Sequence, residues 1–420
     1  MKMFVAAAFG AACMIASVPA AFAQTATGEI VFMDWLGGGE GELLRELQAG
    51  FVALNPEVSF TNLPVSFTGD PRGGIRSVLA GGEPVDIMPN TWPAFRAELA
   101  EAGLILPLDD LWEGELGDRI APMWRELGSY NGASYGVPWR YGDRSGLWHR
   151  VDTLEDNGLK APQTYDEFVS SFAVLEAAGI TPWAIPAKAW AHGEVFETLF
   201  IRMHGVEVAQ QLVDHEIPWT DERVKATFVK VRELLEAGCC GDVNVMLGSE
   251  WDNAADDVLL NGKAAYLLIG MWVNSRAMED YGLTAVEDYA LTQFPAMGMG
   301  HDDTAVIDSR EMNVVTTGKN PEAAKAFIEY IASEEGSNMI AKAGLIPPSN
   351  QADMSLLDPI SAYVADIVAN SKIIFVLGDQ LPGDVVDEFR VQLQNVLRDP
   401  SDATIDAATA AIEARAKDVY

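Results

Sequence analysis

The residues that could do chemistry are few, and most of the familiar arrangements are missing. The chain has no GxSxG elbow for a nucleophilic serine, no SxxK pair, no GxxxxGK[ST] phosphate loop and no GxGxxG dinucleotide turn. The run Gly37-Gly38-Gly39-Glu40-Gly41 resembles a phosphate loop only in composition. Its acidic residue would oppose phosphate, so it reads as a flexible turn. The five histidines, at 149, 192, 204, 215 and 301, never fall at HxH or HExxH spacing, so neither a metal nor another cofactor is expected. Asp and Glu together number 62, which guarantees accidental close pairs, and a hydrolytic carboxylate dyad does not follow from such a count. Beyond Cys13 the cysteines are the adjacent Cys239 and Cys240. A vicinal disulfide needs a distorted peptide, so two free buried thiols are expected.

Tryptophan is more informative. All 11 lie at or before Trp272, and several stand at strand ends or beside turn residues: Trp35, Trp92, Trp139, Trp190 and Trp272. In open parallel sheets ligands sit outside the carboxyl ends of strands. An indole plate there stacks on the apolar C–H face of a sugar, while carboxylates and guanidinium groups bond its hydroxyls. For any single tryptophan the alternative is core packing, and Trp112, Trp124, Trp183, Trp219 and Trp251 are assigned to core or surface.

The elements that must position these rings alternate between short strands and helices. Glu29–Met33 reads as a strand, Leu43, Leu44, Leu47 and Phe51 share one helical face, and Val58 and Phe60 begin another strand. A helix stopped by Gly81-Gly82, a strand Val85–Met88 and a helix capped by Gly103 follow. Thr164 with Glu167 forms a capping box, Asp221-Glu222 opens a helix ending near Gly238, and Gly262–Gly270 is a buried strand leading to Trp272. Asn320-Pro321 reads as an N-cap followed by proline at the first helical position. This alternation implies parallel sheets covered by helices on both faces, an α/β fold.

Composition bounds the setting. The 420 residues allow two or three domains, and 49% hydrophobic with 21% charged residues is a globular composition. A formal net charge of −34 repels phosphate backbones and anionic lipid heads, so nucleic-acid and membrane-surface binding are excluded as leading readings. Lys2, an uncharged stretch from Met3 to Ala23 and the ending Ala21-Phe22-Ala23 describe a secretory signal peptide over 1–23, cut before Gln24. The mature chain is then a periplasmic protein with no later membrane-spanning segment.

Ordered motifs along the chain resemble extracellular solute-binding proteins of family 1, the sugar-binding subunits of ABC importers similar to maltose- and trehalose-binding proteins. They begin with Asp34-Trp35 after the first strand, Phe51-Val-Ala-Leu-Asn-Pro56 and Gly82-Glu-Pro-Val-Asp-Ile87. Ala100–Asp110, Asn131-Gly-Ala-Ser-Tyr-Gly-Val-Pro138 and Pro162-Gln-Thr-Tyr-Asp-Glu-Phe168 follow, then Asn261–Ala265 leading to Gly270-Met-Trp272, and Asn320–Tyr330. Each piece is weak alone; the order and spacing together are specific.

The resemblance implies a periplasmic binding protein-like type II fold, two α/β lobes joined by a multi-crossing hinge with the ligand between them. Lobe one would comprise roughly 24–134 plus 313–346 and lobe two roughly 138–310 plus 350–420. Val137-Pro138, Glu311–Val314 and Pro347-Pro348 would be the crossings. It also implies ligand contacts from Trp35, Asn90, Trp92, Asp143, Trp190 and Trp272, the last as the main aromatic platform. Arg140, Arg144 and Arg310 would lie near the same cleft. They could greet an anionic sugar such as a uronate or sulfonated sugar, or pair with Asp143, Asp308 and Glu311. The expected function is capture of a carbohydrate without chemistry and its delivery, as a monomer, to the membrane permease subunits of an ABC importer. A secreted polysaccharide hydrolase is the alternative, and a periplasmic chaperone or sensor using the same cleft is the third reading.

Overall fold

The computed structural model describes residues 26–66 and 70–420, so the signal segment and Cys13 lie outside the described residues. Two mixed sheets organise the chain. The first begins with β1 (Gly28–Asp34), β2 (Val58–Pro64) and β3 (Ile87–Asn90), which pair in parallel with β1 in the middle. A small ladder of β4 (Ser129–Tyr130) and β5 (Ala133–Ser134) precedes the long β6 (Val137–Asp143). The second sheet takes β7 (Gly146–Arg150), β8 (Thr181–Ala184), β9 (Ala264–Leu268) and β10 (Tyr289–Gln293) in the order β10-β7-β9-β8. The chain then returns through β11 (Thr304–Val314) and β12 (Lys372–Phe375) to complete the first sheet.

β11 links the two halves. Thr304–Ile307 pairs with β12, Glu311–Val314 pairs with β3, and β6 runs antiparallel along it from Ile307 to Met312. The register shifts between Arg310 and Glu311, a bulge that turns the strand between its two sets of partners. The sheets are therefore mixed rather than wholly parallel: β11 meets both β3 and β6 antiparallel, and β7 meets both β9 and β10 antiparallel. After Pro347-Pro348 the chain still bonds to the β1–β3 half. Ser349 bridges Ile120, and Asn350 donates to the carbonyls of Arg119 (2.7 Å) and Asp118 (2.8 Å).

Local signals are expressed where they were read. Thr164 Oγ1 accepts from Glu167 N at 3.2 Å while Glu167 Oε2 accepts from Thr164 N at 3.2 Å, closing the box before the helix Tyr165–Ala177. Asn320 does precede the helix Pro321–Ile331, but its side chain does not cap it. Its amide instead donates to the carbonyls of Thr27 and Glu29, while its own N–H donates to buried Asp86, so it ties helix to β1. Cys239 and Cys240, expected as free thiols, form a buried vicinal disulfide. The chain turns at Gly238, with φ +79°, and Trp183 N anchors the Cys239 carbonyl at 2.7 Å, which brings both sulfurs into the core. No helix among the described residues is long and apolar enough to cross a membrane.

Apolar packing runs through both halves: one buried cluster joins Ile30 and Phe32 of β1 to Trp148 of β7, Leu267 of β9 and Tyr289 of β10. Trp112, Trp124, Trp148, Trp183 and Trp219 are buried in these cores, and so is Trp139, which the sequence had placed beside a turn. A cap whose two arms are both made contributes measurably. Thr164→Ala is expected to cost about 1 kcal/mol in urea unfolding with an unchanged m-value; no change would show that the box contributes nothing.

Candidate functional site

Parallel pairing puts the carboxyl ends of β1 and β3 side by side, so the residues just beyond them, Trp35 and Trp92, are neighbours. Their rings stack with centroids 5.1 Å apart and planes 29° off parallel. Trp35 Nε1 donates to the Pro89 carbonyl at 2.7 Å, which fixes the plane of that ring. Across a cavity of about 390 Å³ stand Trp190, after β8, and Trp272, which opens the helix Trp272–Glu279 after β9. β8 and β9 are also parallel, so the same geometry repeats in the second sheet. Trp190 and Trp251 each lie 5.9 Å from Trp272, Trp251 edge-on at 87°. The cavity is within the roughly 300–1,000 Å³ range of small-molecule sites.

Gly270 allows this arrangement. A Cβ there would fall 2.7 Å from Cε3 and Cη2 of Trp272, so only glycine lets the indole fold back over the strand end. Gly39 plays the matching part on the other side. Its Cβ would lie 2.6 Å from Ser275 Oγ, so the helix Gly38–Leu54 can approach the helix carrying Trp272. The glycine run is therefore the first turn of a helix rather than a flexible turn.

Six of the residues expected at a ligand site line the cavity: Trp35, Trp92, Arg144, Trp190, Trp272 and Arg310. Three do not. Asn90 is fully buried; its Oδ1 accepts from the N–H groups of Thr91 and Trp92 and its Nδ2 donates to Glu311, so it shapes the turn that presents Trp92. Asp143 is fully buried too, accepting from Ser145 N at 3.1 Å and Ser145 Oγ at 2.6 Å, because its carboxylate closes the tight turn between β6 and β7. Arg140 is completely enclosed and reaches no cavity wall.

The three arginines have carboxylate partners, and most differ from those expected. Arg140 Nε donates to Glu40 at 2.7 Å and its Nη1 to Asp308 at 2.9 Å. Arg310 donates to Glu40 at 3.3 Å. Arg144 pairs with Glu194 and, at 3.3 Å, with Asp379. Glu311 instead accepts from Arg96 at 2.6 Å, and Asp143 pairs with none of the three. Burial works against the charge of Glu40, but Arg140 and Arg310 outweigh it and hold its carboxyl below the ordinary range. One cation, Arg144, serves both Glu194 and Asp379, and burial pushes both carboxyls up.

Residues not expected at a ligand site complete the walls, among them Trp251, assigned from sequence to core or surface, and Glu40 of the glycine run. Trp251, Glu40, Asp70 and Asp280 line the cavity, as do Arg276, Asp379 and Arg390. The lining thus carries four carboxylates, Glu40, Asp70, Asp280 and Asp379, against four guanidinium groups, Arg144, Arg276, Arg310 and Arg390. In a chain of net charge −34, the cavity is locally neutral.

Behind this wall, buried Glu197 accepts from the N–H groups of Leu377 and Gly378, and burial pushes its carboxyl up to about 7. Burial likewise raises Asp143 to about 6. A carboxyl whose folded value exceeds its unfolded one stabilises fully below the unfolded value, and that contribution is lost as pH rises through the folded one. For Glu197 the window therefore runs from about 4.5 to about 7. Glu197→Gln is expected to gain thermal stability relative to the parent as pH rises through that window; a gain only toward acid would contradict the assignment.

Residues 39–338 match the sequence profile of the bacterial extracellular solute-binding proteins. An uncharacterized ABC transporter extracellular-binding protein of Pyrococcus horikoshii is 24% identical over 399 residues, covering 92% of this chain and 86% of that one. An alpha-glucosides-binding periplasmic protein of Rhizobium meliloti is 29% identical over 206 residues, 46% of this chain and 44% of the relative. Among solved structures, a bacterial solute receptor described as exclusively preferring β-D-galactopyranose superimposes with a TM-score of 0.84 at 20% identity, covering 94% of this chain and 99% of that one. The folded architecture is that of the type II periplasmic binding proteins, and the chain belongs to the bacterial extracellular solute-binding protein family.

Proposed function

We propose that the protein captures a neutral mono- or oligosaccharide between its two tryptophan-bearing walls and hands it to the permease of an ABC importer. The observation that carries this reading is the cavity lining: five tryptophans with four carboxylates balanced by four arginines. Flat apolar plates suit the C–H faces of pyranose rings, and paired charged groups can exchange hydrogen bonds with hydroxyls without favouring a net charge. The names of the Rhizobium relative and of the galactose-preferring receptor support a carbohydrate.

In this reading the residues near 24–134 and 313–346 form one lobe and those near 138–310 and 350–420 the other. β6 and β11 would bend at the bulge beside Arg310. Asp70 and Arg390, already paired at 3.5 Å beside the cavity, would then tie one lobe to the other. Closure would present both lobes to the permease, whose partner supplies the ATP hydrolysis, and the protein itself would act as a monomer without catalysing a reaction. It would reach its compartment by cleavage near Ala23-Gln24.

Two substitutions test the placement of the ligand. Trp272→Ala should weaken binding of the best neutral sugar by about 2 kcal/mol or more in calorimetry while leaving the folded far-ultraviolet spectrum intact. Gly270→Ala adds only a methyl group, yet by displacing the Trp272 ring it should lower affinity in the same direction. Unchanged affinity in both variants would place the ligand elsewhere.

A further inference from the structure

Every tryptophan of the cavity already carries a guanidinium group. Arg310 Cζ lies 4.7 Å from the Trp35 ring centroid, and Arg72 Cζ lies 5.6 Å from that of Trp92. Arg144 Cζ serves two rings, 5.2 Å from Trp190 and 5.0 Å from Trp272, and Arg276 Cζ lies 5.6 Å from Trp251. Each of these arginines is fixed by carboxylates: Arg310 by Glu40, Arg72 by Asp70, Arg144 by Glu194 and Asp379, and Arg276 by Asp256.

This pattern bears on which solutes the site admits. A cluster of indoles beside carboxylates is otherwise the standard trap for quaternary ammonium groups, because the ring quadrupole attracts any cation within about 6 Å of the centroid. The hazard is larger here than in most proteins, since a net charge of −34 enriches small cations around the whole molecule. A ring whose field is already engaged by a guanidinium group has less attraction to offer a second cation, and the two positive charges repel at short range. Uncharged C–H faces meet no such penalty.

We propose that the arginines seated on the cleft tryptophans form a charge filter that reserves these rings for uncharged solutes and turns away quaternary ammonium compounds. The inference rests on the carbohydrate reading and narrows it, making Arg310 and Arg276 specificity-determining residues. Arg310 is the more telling of the two. Removing it frees Trp35, which stacks on Trp92, and leaves the Glu40 carboxylate nearby with Arg140 as its remaining partner. Arg276 reaches solvent more freely, so its loss leaves the core charges untouched.

Tetramethylammonium chloride titrated against the mature protein, with sodium chloride as the ionic-strength control, tests the filter by calorimetry. The parent protein is expected to give no saturable heat, whereas Arg310→Met and Arg276→Met each gain tetramethylammonium affinity by roughly tenfold or more over the parent's limit. Arg310→Lys, which keeps a cation beside the ring, should not gain. Saturable binding by the parent, or no gain in either Met variant while both keep the parent's far-ultraviolet spectrum and cooperative thermal unfolding, would overturn the filter. A parent that binds neither sugar nor tetramethylammonium would instead overturn the carbohydrate reading, so the two failures are distinguishable.

Discussion

The cavity depends on one buried carboxylate. Glu40 sits in the first turn of the helix Gly38–Leu54, where the helix dipole favours a negative charge, and it binds Arg140 of β6 and Arg310 of β11 at once. Asp308 holds the far side of Arg140 at 2.9 Å. Because all these groups are withdrawn from water, removing one partner would strand a charge, a defect of about 3–5 kcal/mol. The network therefore fixes the start of that helix, and Trp35 just before it, against the two long strands that link the sheets. Arg310 extends the same network to the ring face of Trp35.

The second wall is built by a parallel device. Arg144, in the turn between β6 and β7, is held by Glu194 and Asp379 and lies against both Trp190 and Trp272. The two walls thus present aromatic plates backed by compensated cations, and the surplus acidity of the chain stays outside. Acidic surface and neutral cavity answer different demands. A surplus of one charge on the surface favours dispersion, while balanced charge in the cavity suits the neutral ligand proposed above.

Much of this was legible in local sequence, and what was not follows from distance along the chain. The capping box at Thr164, the buried run of β9 and the tryptophans at strand ends are short-range signals, and six expected residues meet at one cavity. Partner choice was not legible. Glu40 and Arg140 are separated by 100 positions, and nothing near either residue names the other. Asp143 and Asn90 carry the right chemistry, but the Asp143 carboxylate and the Asn90 Oδ1 are taken up by turns within two residues, and the Asn90 Nδ2 by distant Glu311, which the residue type alone does not reveal. Trp251 begins a five-residue helix with no strand before it, so its place on the wall emerges only when the sheets are assembled. The antiparallel returns of β6, β7 and β11 were hidden for the same reason.

The central claim is that a charge-balanced, tryptophan-walled cavity holds a neutral sugar. Calorimetric affinity for the best-binding neutral sugar, compared between about 0.01 M and about 1 M salt, tests it directly, since the screening length falls from about 30 Å to about 3 Å over that range. The account predicts an affinity constant within about threefold, or about 0.65 kcal/mol, between the two conditions. A loss of tenfold or more at high salt would contradict it, showing that uncompensated charge in the cavity carries the binding.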